Sequence, residues 1–209
     1  MHAEPAGLPL PGARQELHLL RESLAEAQQQ GVASLATIEN STISDLLDNL
    51  QRFRPHVLHY TGHGGFDQAG VAALVLTDAA GQPVMLSADQ LAAALRGTSV
   101  ALAVLNGCHT GVNPAASNAN RGICQSLLRE GVAVTVATVR AVTDNAALRF
   151  AQELYQALIY GYPLEACVAE ARKGVFMQGW DWSAWATFAS NSQAFDQLRL
   201  RRPSAYTIR

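Results

Sequence analysis

The hydrophobic positions along the chain recur with two periods, one typical of helices and one typical of buried strands. Leucine and alanine at helical spacing predict helices, and three of these begin at residues suited to capping: Thr42 with Asp45, Ser87 with Gln90, and Thr143. The helices are predicted over about 13–29, 43–50, 88–95, 121–130, 143–160 and 164–175.

Short apolar runs between these segments predict strands. A run of four to eight apolar residues bounded by glycine or polar residues is typical of a strand buried in a parallel sheet. A turn at 78–81 between two such runs predicts a β-hairpin over 72–86. The other strands are predicted at 32–37, 56–60, 100–105, 132–139 and 184–189.

This alternation of strands and helices predicts the fold class. Strands that alternate with helices form a mostly parallel sheet flanked by helices on both faces, an α/β fold. In sheets of this kind, ligands bind beyond the carboxyl ends of the strands. The chemistry of the chain is therefore expected in the loops that follow the strands.

Composition narrows the class of protein. The 209 residues include 15 Lys+Arg and 17 Asp+Glu, and 49% are hydrophobic, which predicts a folded core and lacks the basic bias of a nucleic-acid-binding protein. No apolar run approaches the roughly 18 residues of a membrane span, and no secretory signal is visible. The 3 cysteines include no CxxC pair, so we expect a cytoplasmic protein without a disulfide framework.

Two of the predicted strands end in glycine-rich turns that carry a reactive side chain. His63 follows the strand at 56–60, and Cys108 follows the strand at 100–105. An imidazole beside a thiol can take its proton and so produce the thiolate that attacks a carbonyl carbon. The backbone N–H groups of Gly64 and Cys108 could then stabilise the developing oxyanion.

Four stretches of the sequence carry a resemblance to a known family. They are LHYTGHG at 58–64, VLNGCHTG at 104–111, RAVTDNAA at 140–147, and GYPLEA at 161–166 with 169–172. Together they cover most of residues 10–190 in the expected order, and the chain resembles the CHAT domain, a caspase-like peptidase module of the caspase and separase clan.

The resemblance implies a fold, an activity and partners. It implies a caspase-like domain over 13–194, between a lead-in at 1–12 and a basic tail at 195–209. It implies a cysteine endopeptidase with His63 and Cys108 as the catalytic dyad, no metal or organic cofactor, and a protein substrate. It further implies a prokaryotic role in regulated proteolysis, defence or cell death, with a regulatory or sensor protein outside this chain, for which tetratricopeptide repeats are one candidate. Neither nucleic acid nor membrane is an expected partner.

The resemblance also suggests a substrate pocket. In the related separases, an aspartate in a similar Val-Thr-Asp stretch holds the basic side chain before the cleaved bond, which makes Asp144 a candidate pocket residue. The alternative interpretation of Asp144 is an acidic residue that stabilises the first turn of a helix. Many caspase-like enzymes have an aspartate two residues before the cysteine as part of a pocket for basic side chains. This chain has Asn106 there, which makes Asn106 the second candidate pocket residue, and the preferred substrate stays open.

A second departure concerns the sheet itself. Family members usually begin with an apolar strand ahead of the segment that matches 9–20, and that strand is internal to the sheet. Here the first strand is missing from the chain, because residues 1–8 do not have the pattern of such a strand. We expect either a fragment, a misplaced start, or a domain that another segment completes.

Other interpretations of the reactive residues stay open. A catalytically silent scaffold that binds a partner protein at the same edge is the main alternative function. A small-molecule binding domain is less favoured, because the sequence has no GxGxxG or GxxxxGK phosphate-binding pattern. His109 lies next to Cys108 in the sequence and is a less favoured candidate for the base. His59 and His63 together suggest a metal-binding pair, but the sequence places no third ligand near them. Cys124 and Cys167 are predicted to be core residues.

Overall fold

A computed structural model describes the protein over residues 1–107, 115–195 and 198, with the backbone alone at 115–121. The described residues form seven strands and six α-helices, with His63 between β1 and β2 and the position of Cys108 between β5 and α4 in the sequence. The strands are β1 (Val57–Tyr60), β2 (Gly64–Phe66), β3 (Ala72–Thr77), β4 (Pro83–Ser87), β5 (Leu102–Leu105), β6 (Val134–Thr138) and β7 (Trp185–Ala189). The helices are α1 (Pro11–Gln29), α2 (Ile43–Phe53), α3 (Ala88–Leu95), α4 (Ala115–Arg129), α5 (Asp144–Ile159) and α6 (Leu164–Met177).

The main sheet has four strands in the order β1-β5-β6-β7. The first three are parallel, and β7 is antiparallel to β6. Tyr60 is paired with Leu105, and Leu105 with Ala137, so β1, β5 and β6 end at the same edge of the sheet. A second, antiparallel sheet has the order β2-β3-β4. The predicted mostly parallel sheet is confirmed.

Helices cover both faces of the main sheet because its central strands are apolar on both faces. Leu102 and Val104 belong to a core formed with α1, α5 and α6. Ala103 and Leu105 belong to a second core formed with α2, α3 and α4. All four residues of β5 are buried. The sheet is thus the middle layer of an α/β/α sandwich, as predicted.

The helix caps follow the sequence signals. Thr42 and Asp45 form a capping box at α2, and Ser87 and Gln90 form one at α3. The hydroxyl of Thr143 accepts a hydrogen bond from the backbone of Ala146 at the start of α5. These predictions are confirmed, as is the hairpin of β3 and β4.

Two predicted elements differ from the structure. The strand predicted at 32–37 is wrong: residues 33–38 have no regular secondary structure, and residues 34–37 have no backbone hydrogen bond within the described part of the chain. A strand needs a neighbour that pairs with it, and none of the described segments lies at that position. Helix α4 begins at Ala115 rather than near 121, since the three alanines among residues 115–120 favour a helix.

The first residues of the chain add to the sheet beside β1. His2 forms a parallel bridge with Thr61, and the backbones of Met1 and Ala3 are hydrogen-bonded to His59 and Thr61. Residues 1–8 form this isolated bridge and no strand, which agrees with the expectation from their sequence. Among the described helices, none has the length and apolar character that a membrane crossing requires.

Candidate active site

His63 lies in the short loop between β1 and β2, three residues after β1 ends. Its backbone carbonyl accepts hydrogen bonds from the backbone of Val75 at 2.9 Å and from the hydroxyl of Tyr60 at 3.0 Å. The side chain is partly buried, and its Nε2 atom is shielded from solvent with no hydrogen-bond partner among the described residues. The backbone of His63 is thus held by two hydrogen bonds, while the Nε2 atom of its side chain has no hydrogen-bond partner among the described residues.

The loop that carries His63 depends on a buried tyrosine. The Tyr60 hydroxyl donates a hydrogen bond to the carbonyl of Val75 at 2.7 Å and also contacts the carbonyl of His63. Burial raises the pKa of Tyr60, so the phenol stays protonated and remains a donor. A Cβ atom at Gly62 would overlap the Tyr60 hydroxyl and ring carbon. Glycine is therefore required at this position for a steric reason.

Gly62→Ala is expected to displace the Tyr60 ring and the His63 backbone together. We expect a loss of roughly 1–3 kcal/mol in the free energy of unfolding, the range typical of overpacking, measured by urea denaturation. Gly65→Ala is the matched control, because its Cβ would meet only the flexible end of Met85, at 3.3 Å. Equal stability of the two variants would contradict the proposed steric role of Gly62.

Cys108 and His109 lie outside the described residues, but the strand that leads to them is described. The backbone N–H of Asn106 donates to the carbonyl of Tyr60 at 2.9 Å, and the Thr138 hydroxyl donates to the carbonyl of Gly107 at 3.1 Å. Cys108 follows β5 by three residues, as His63 follows β1. Because β1 and β5 are parallel neighbours, the two loops leave the sheet side by side.

The predicted oxyanion donor Gly64 lies at the start of β2. In an antiparallel pair, residues alternate between positions that exchange backbone hydrogen bonds and positions that do not. The backbone N–H of Val75 donates to the carbonyl of His63, and the backbone N–H of Asp67 donates to the carbonyl of Val71. With the register of β2 and β3, these two bonds place the hydrogen-bonded positions at the odd-numbered residues. The N–H of Gly64 consequently points away from β3. This orientation suits an oxyanion donor, and the role itself stays a prediction.

Asn106 is 1% exposed, and both the nitrogen and the oxygen of its side-chain amide form hydrogen bonds. Its Nδ2 donates to Glu16 Oε1 at 2.6 Å and to the carbonyl of Ala147 at 3.0 Å, and its Oδ1 accepts from Trp185 Nε1 at 3.1 Å. These contacts connect the segment before Cys108 to α1, α5 and β7. In the structure, Asn106 anchors the carboxyl end of β5 to these neighbouring elements. A contact between Asn106 and the substrate stays a prediction.

Glu16 links the segments that lead to both candidate residues. Its carboxylate lies 2.9 Å from His59 Nε2 in β1 and also accepts from Asn106. His59 Nδ1 lies 3.0 Å from the Tyr155 hydroxyl, so all these polar groups have partners in the interior. The sequence interpretation missed Glu16. The available signal was its spacing, since Glu16 shares the buried face of α1 with Leu20 and Leu24.

Asp144 is the first residue of α5, directly after the cap Thr143. Its carboxyl group packs against Gly12, where a Cβ atom would lie 2.7 Å from the carboxyl carbon. Asp144 lines a cavity of about 10 Å³, room for about one water molecule, with Thr61 and Asn106. It thus lies at the sheet edge from which both catalytic candidates emerge, and its role in specificity stays a prediction.

The other two cysteines are core residues, as predicted. Cys124 and Cys167 are each 0% exposed. Burial raises the pKa of the Cys124 thiol to about 11 and that of the Cys167 thiol to about 12. At neutral pH both are therefore almost entirely protonated and poor nucleophiles. Of the three cysteines in the sequence, Cys108 is therefore the remaining candidate for a nucleophile.

The sheet, its flanking helices and the loops at its carboxyl edge define a caspase-like α/β domain. The family profile of the CHAT domain matches residues 2–192. The protein belongs to the CHAT domain family, which is related to caspase-like peptidases. No curated protein matches the chain.

Proposed function

We propose that this protein is a cysteine endopeptidase that hydrolyses peptide bonds of a protein substrate through His63 and Cys108. The observation that carries the proposal is the register of β1 and β5. The two parallel strands end at the same edge of the sheet, which supports a position of His63 and Cys108, each three residues after its strand, close to one another. The membership of the chain in a caspase-like family supports the same chemistry.

Each residue has a defined role in the proposed reaction. His63 takes the thiol proton of Cys108, and the thiolate attacks the carbonyl carbon of the scissile bond. The N–H groups of Gly64 and Cys108 stabilise the oxyanion that forms. The protonated imidazole then gives its proton to the leaving amine, and a water molecule hydrolyses the acyl-enzyme. The reaction uses no metal or organic cofactor.

Selective alkylation tests the activated thiol. With iodoacetamide at pH 7 we expect rapid labelling of Cys108 and none of Cys124 or Cys167, read by peptide mass spectrometry. A thiol forms thiolate as the pH rises toward its pKa, so Cys124 should begin to react only near pH 10–11 in the folded protein. His63→Ala should slow the labelling of Cys108. A Cys108 that reacts like a free cysteine in both proteins would favour the scaffold alternative.

Asp144→Ala tests substrate preference. The proposal assigns Asp144 to the recognition of an Arg or Lys side chain before the cleaved bond, through a charge-assisted hydrogen bond. We therefore expect kcat/KM to fall roughly 10-fold or more for Arg and Lys substrates and to change little for apolar ones. Thr143→Ala is the control, because it removes the cap of the same helix and keeps the carboxylate. A uniform loss over all substrates in both variants would instead assign Asp144 to helix capping.

The biological setting follows from the proposed activity. An endopeptidase of this family would act in a prokaryotic regulated-proteolysis, defence or cell-death pathway in the cytoplasm. Its regulator would be a sensor protein or domain outside the described fold, with tetratricopeptide repeats as one candidate. The second candidate function is a silent scaffold that binds a partner protein at the same edge. The Nε2 atom of His63, which has no hydrogen-bond partner among the described residues, favours the enzyme.

A further inference from the structure

One carboxylate lies in the interior behind the candidate site, and the proposed reaction does not use it. Glu16 is 2% exposed, and it is the only acidic side chain that is buried among the described residues. A carboxylate loses its hydration on burial, so an apolar side chain of similar volume often serves stability equally well at such a position. The stability of the core alone therefore does not explain a charged side chain at position 16.

A single oxygen atom of Glu16 joins β1 to the end of β5. Its Oε1 lies 2.9 Å from Nε2 of His59 and accepts a hydrogen bond from Nδ2 of Asn106 at 2.6 Å. His59 belongs to β1 and comes four residues before His63, while Asn106 follows β5 and comes two residues before Cys108. Because one atom makes both contacts, a shift of either segment relative to the other lengthens at least one of them.

Both partners of Glu16 are also held from another side. The Tyr155 hydroxyl lies 3.0 Å from Nδ1 of His59, and burial raises the pKa of Tyr155, so this phenol keeps its proton and can donate a hydrogen bond. Oδ1 of Asn106 accepts from the indole N–H of Trp185 at 3.1 Å. The imidazole and the amide therefore cannot turn to follow a movement of the strands without the loss of a buried hydrogen bond.

The contacts of Glu16 lie where the backbone contacts between the two strands end. The backbone N–H of Asn106 donates to the carbonyl of Tyr60, and this is the last backbone hydrogen bond that the described residues form between the two segments. From there the chain leads within three residues to each catalytic candidate. Glu16 therefore fixes the relative position of the two segments at the point where they leave the sheet.

The proposed proton transfer is sensitive to such positions. A base takes a proton over a heavy-atom distance of about 2.6–3.2 Å, and a displacement of about 1 Å can cost roughly 100-fold in rate. We propose that Glu16 is a positioning residue for this transfer. Through His59 and Asn106 it holds the segments that lead to the two catalytic candidates in the alignment that the transfer requires. This role rests on the proposed function, because it concerns the same pair of residues.

Glu16→Met tests this role, because methionine is an unbranched side chain that fills the site without the charged acceptor. We expect kcat for a peptide substrate to fall roughly 10- to 100-fold and KM to change less than about threefold, since the alignment matters in the transition state. Glu16→Gln should recover most of the wild-type kcat, because its amide oxygen can make the same two contacts. The rates are measured at a temperature at which circular dichroism shows each variant to be folded.

Two further variants separate position from stability. Leu164 is buried at the start of α6, after α5 has led the chain away from the carboxyl edge of the sheet. Leu164→Ala should lower Tm, as the truncation of a buried leucine does, and keep the wild-type kcat while it is folded. If Glu16→Met does not fold, Tyr155→Phe takes its place. It keeps the ring, removes the hydroxyl beside His59 and should lower kcat roughly threefold or more.

Labelling of Cys108 by iodoacetamide at pH 7 separates a failure of this role from a failure of the proposed function. We expect rapid labelling of the wild type and labelling slowed roughly fivefold or more in the folded Glu16→Met protein, because a displaced imidazole no longer promotes the thiolate. Rapid labelling and a wild-type kcat in Glu16→Met, or in Tyr155→Phe where it is used, would overturn the positioning role and leave the peptidase intact. A wild-type Cys108 that reacts like a free cysteine, with no cleavage of peptides, would overturn both.

Discussion

Cys108→Ala should abolish peptide-bond cleavage, and His63→Ala should lower kcat/KM on the order of 10³-fold or more. Without the thiol no acyl-enzyme can form, whereas without the imidazole the thiol is still present but lacks a base. The measurement is the rate of cleavage of one peptide substrate by the purified variants. Circular dichroism spectra should match that of the wild type, because both residues come after the last residue of a strand in the sequence.

Two controls separate the dyad from its neighbours. Cys124→Ala removes a buried thiol of high pKa and should keep cleavage close to wild type. His109→Ala should also keep most of the activity, since successive residues of a chain generally point in different directions. A His109→Ala variant as inactive as His63→Ala would contradict the assignment of His63 as the sole base.

Glu16→Ala should destabilise the protein more than the loss of any surface acid. The carboxylate is 2% exposed and receives contacts from His59 at 2.9 Å and Asn106 at 2.6 Å. Removing it leaves two buried polar side chains short of a partner, at a cost of about 1–3 kcal/mol each. We expect the free energy of unfolding to fall by roughly 3 kcal/mol and Tm by roughly 6–12 °C. Calorimetry of the whole chain measures both.

The matched control is an acid on the exposed face of the same helix. Glu22 pairs with His18 at the surface, where both side chains are more than 60% exposed, so Glu22→Ala should change stability by less than about 0.5 kcal/mol. Glu16→Gln should recover part of the loss, because the amide oxygen can still accept from Asn106. A Glu16→Ala protein as stable as Glu22→Ala would show that the buried contacts contribute nothing.

Most of the fold could be predicted because its signals are local. Continuous apolar runs such as 100–105 and the capping pairs at Thr42 and Ser87 act within a few residues of the chain. The strand predicted at 32–37 failed for a non-local reason. Its composition suits a strand, but pairing needs a neighbour that the described residues do not supply.

The sequence predicts the two segments that carry His63 and Cys108, but it does not predict the hydrogen bonds of Glu16 and Asn106 behind them. Glycine-flanked His63 and Cys108 after apolar strands are visible in the sequence, and the parallel register of β1 and β5 ends both strands at one edge of the sheet. The contact between Glu16 and Asn106 spans 90 residues of sequence and depends on how α1 packs on the sheet edge. No local pattern encodes such a contact, so the hydrogen bonds of Asn106 to Glu16, Ala147 and Trp185 could not be predicted from the sequence.

Hydrolysis of peptide bonds by Cys108 is tested by digestion of a mixed peptide library with the wild-type chain and with Cys108→Ala. Mass spectrometry identifies the peptides that each protein produces. We expect cleavage products that appear only with the wild type, with most cleavage after arginine or lysine. Identical peptide patterns for the two proteins, together with a Cys108 thiol of ordinary reactivity, would contradict it and favour the scaffold.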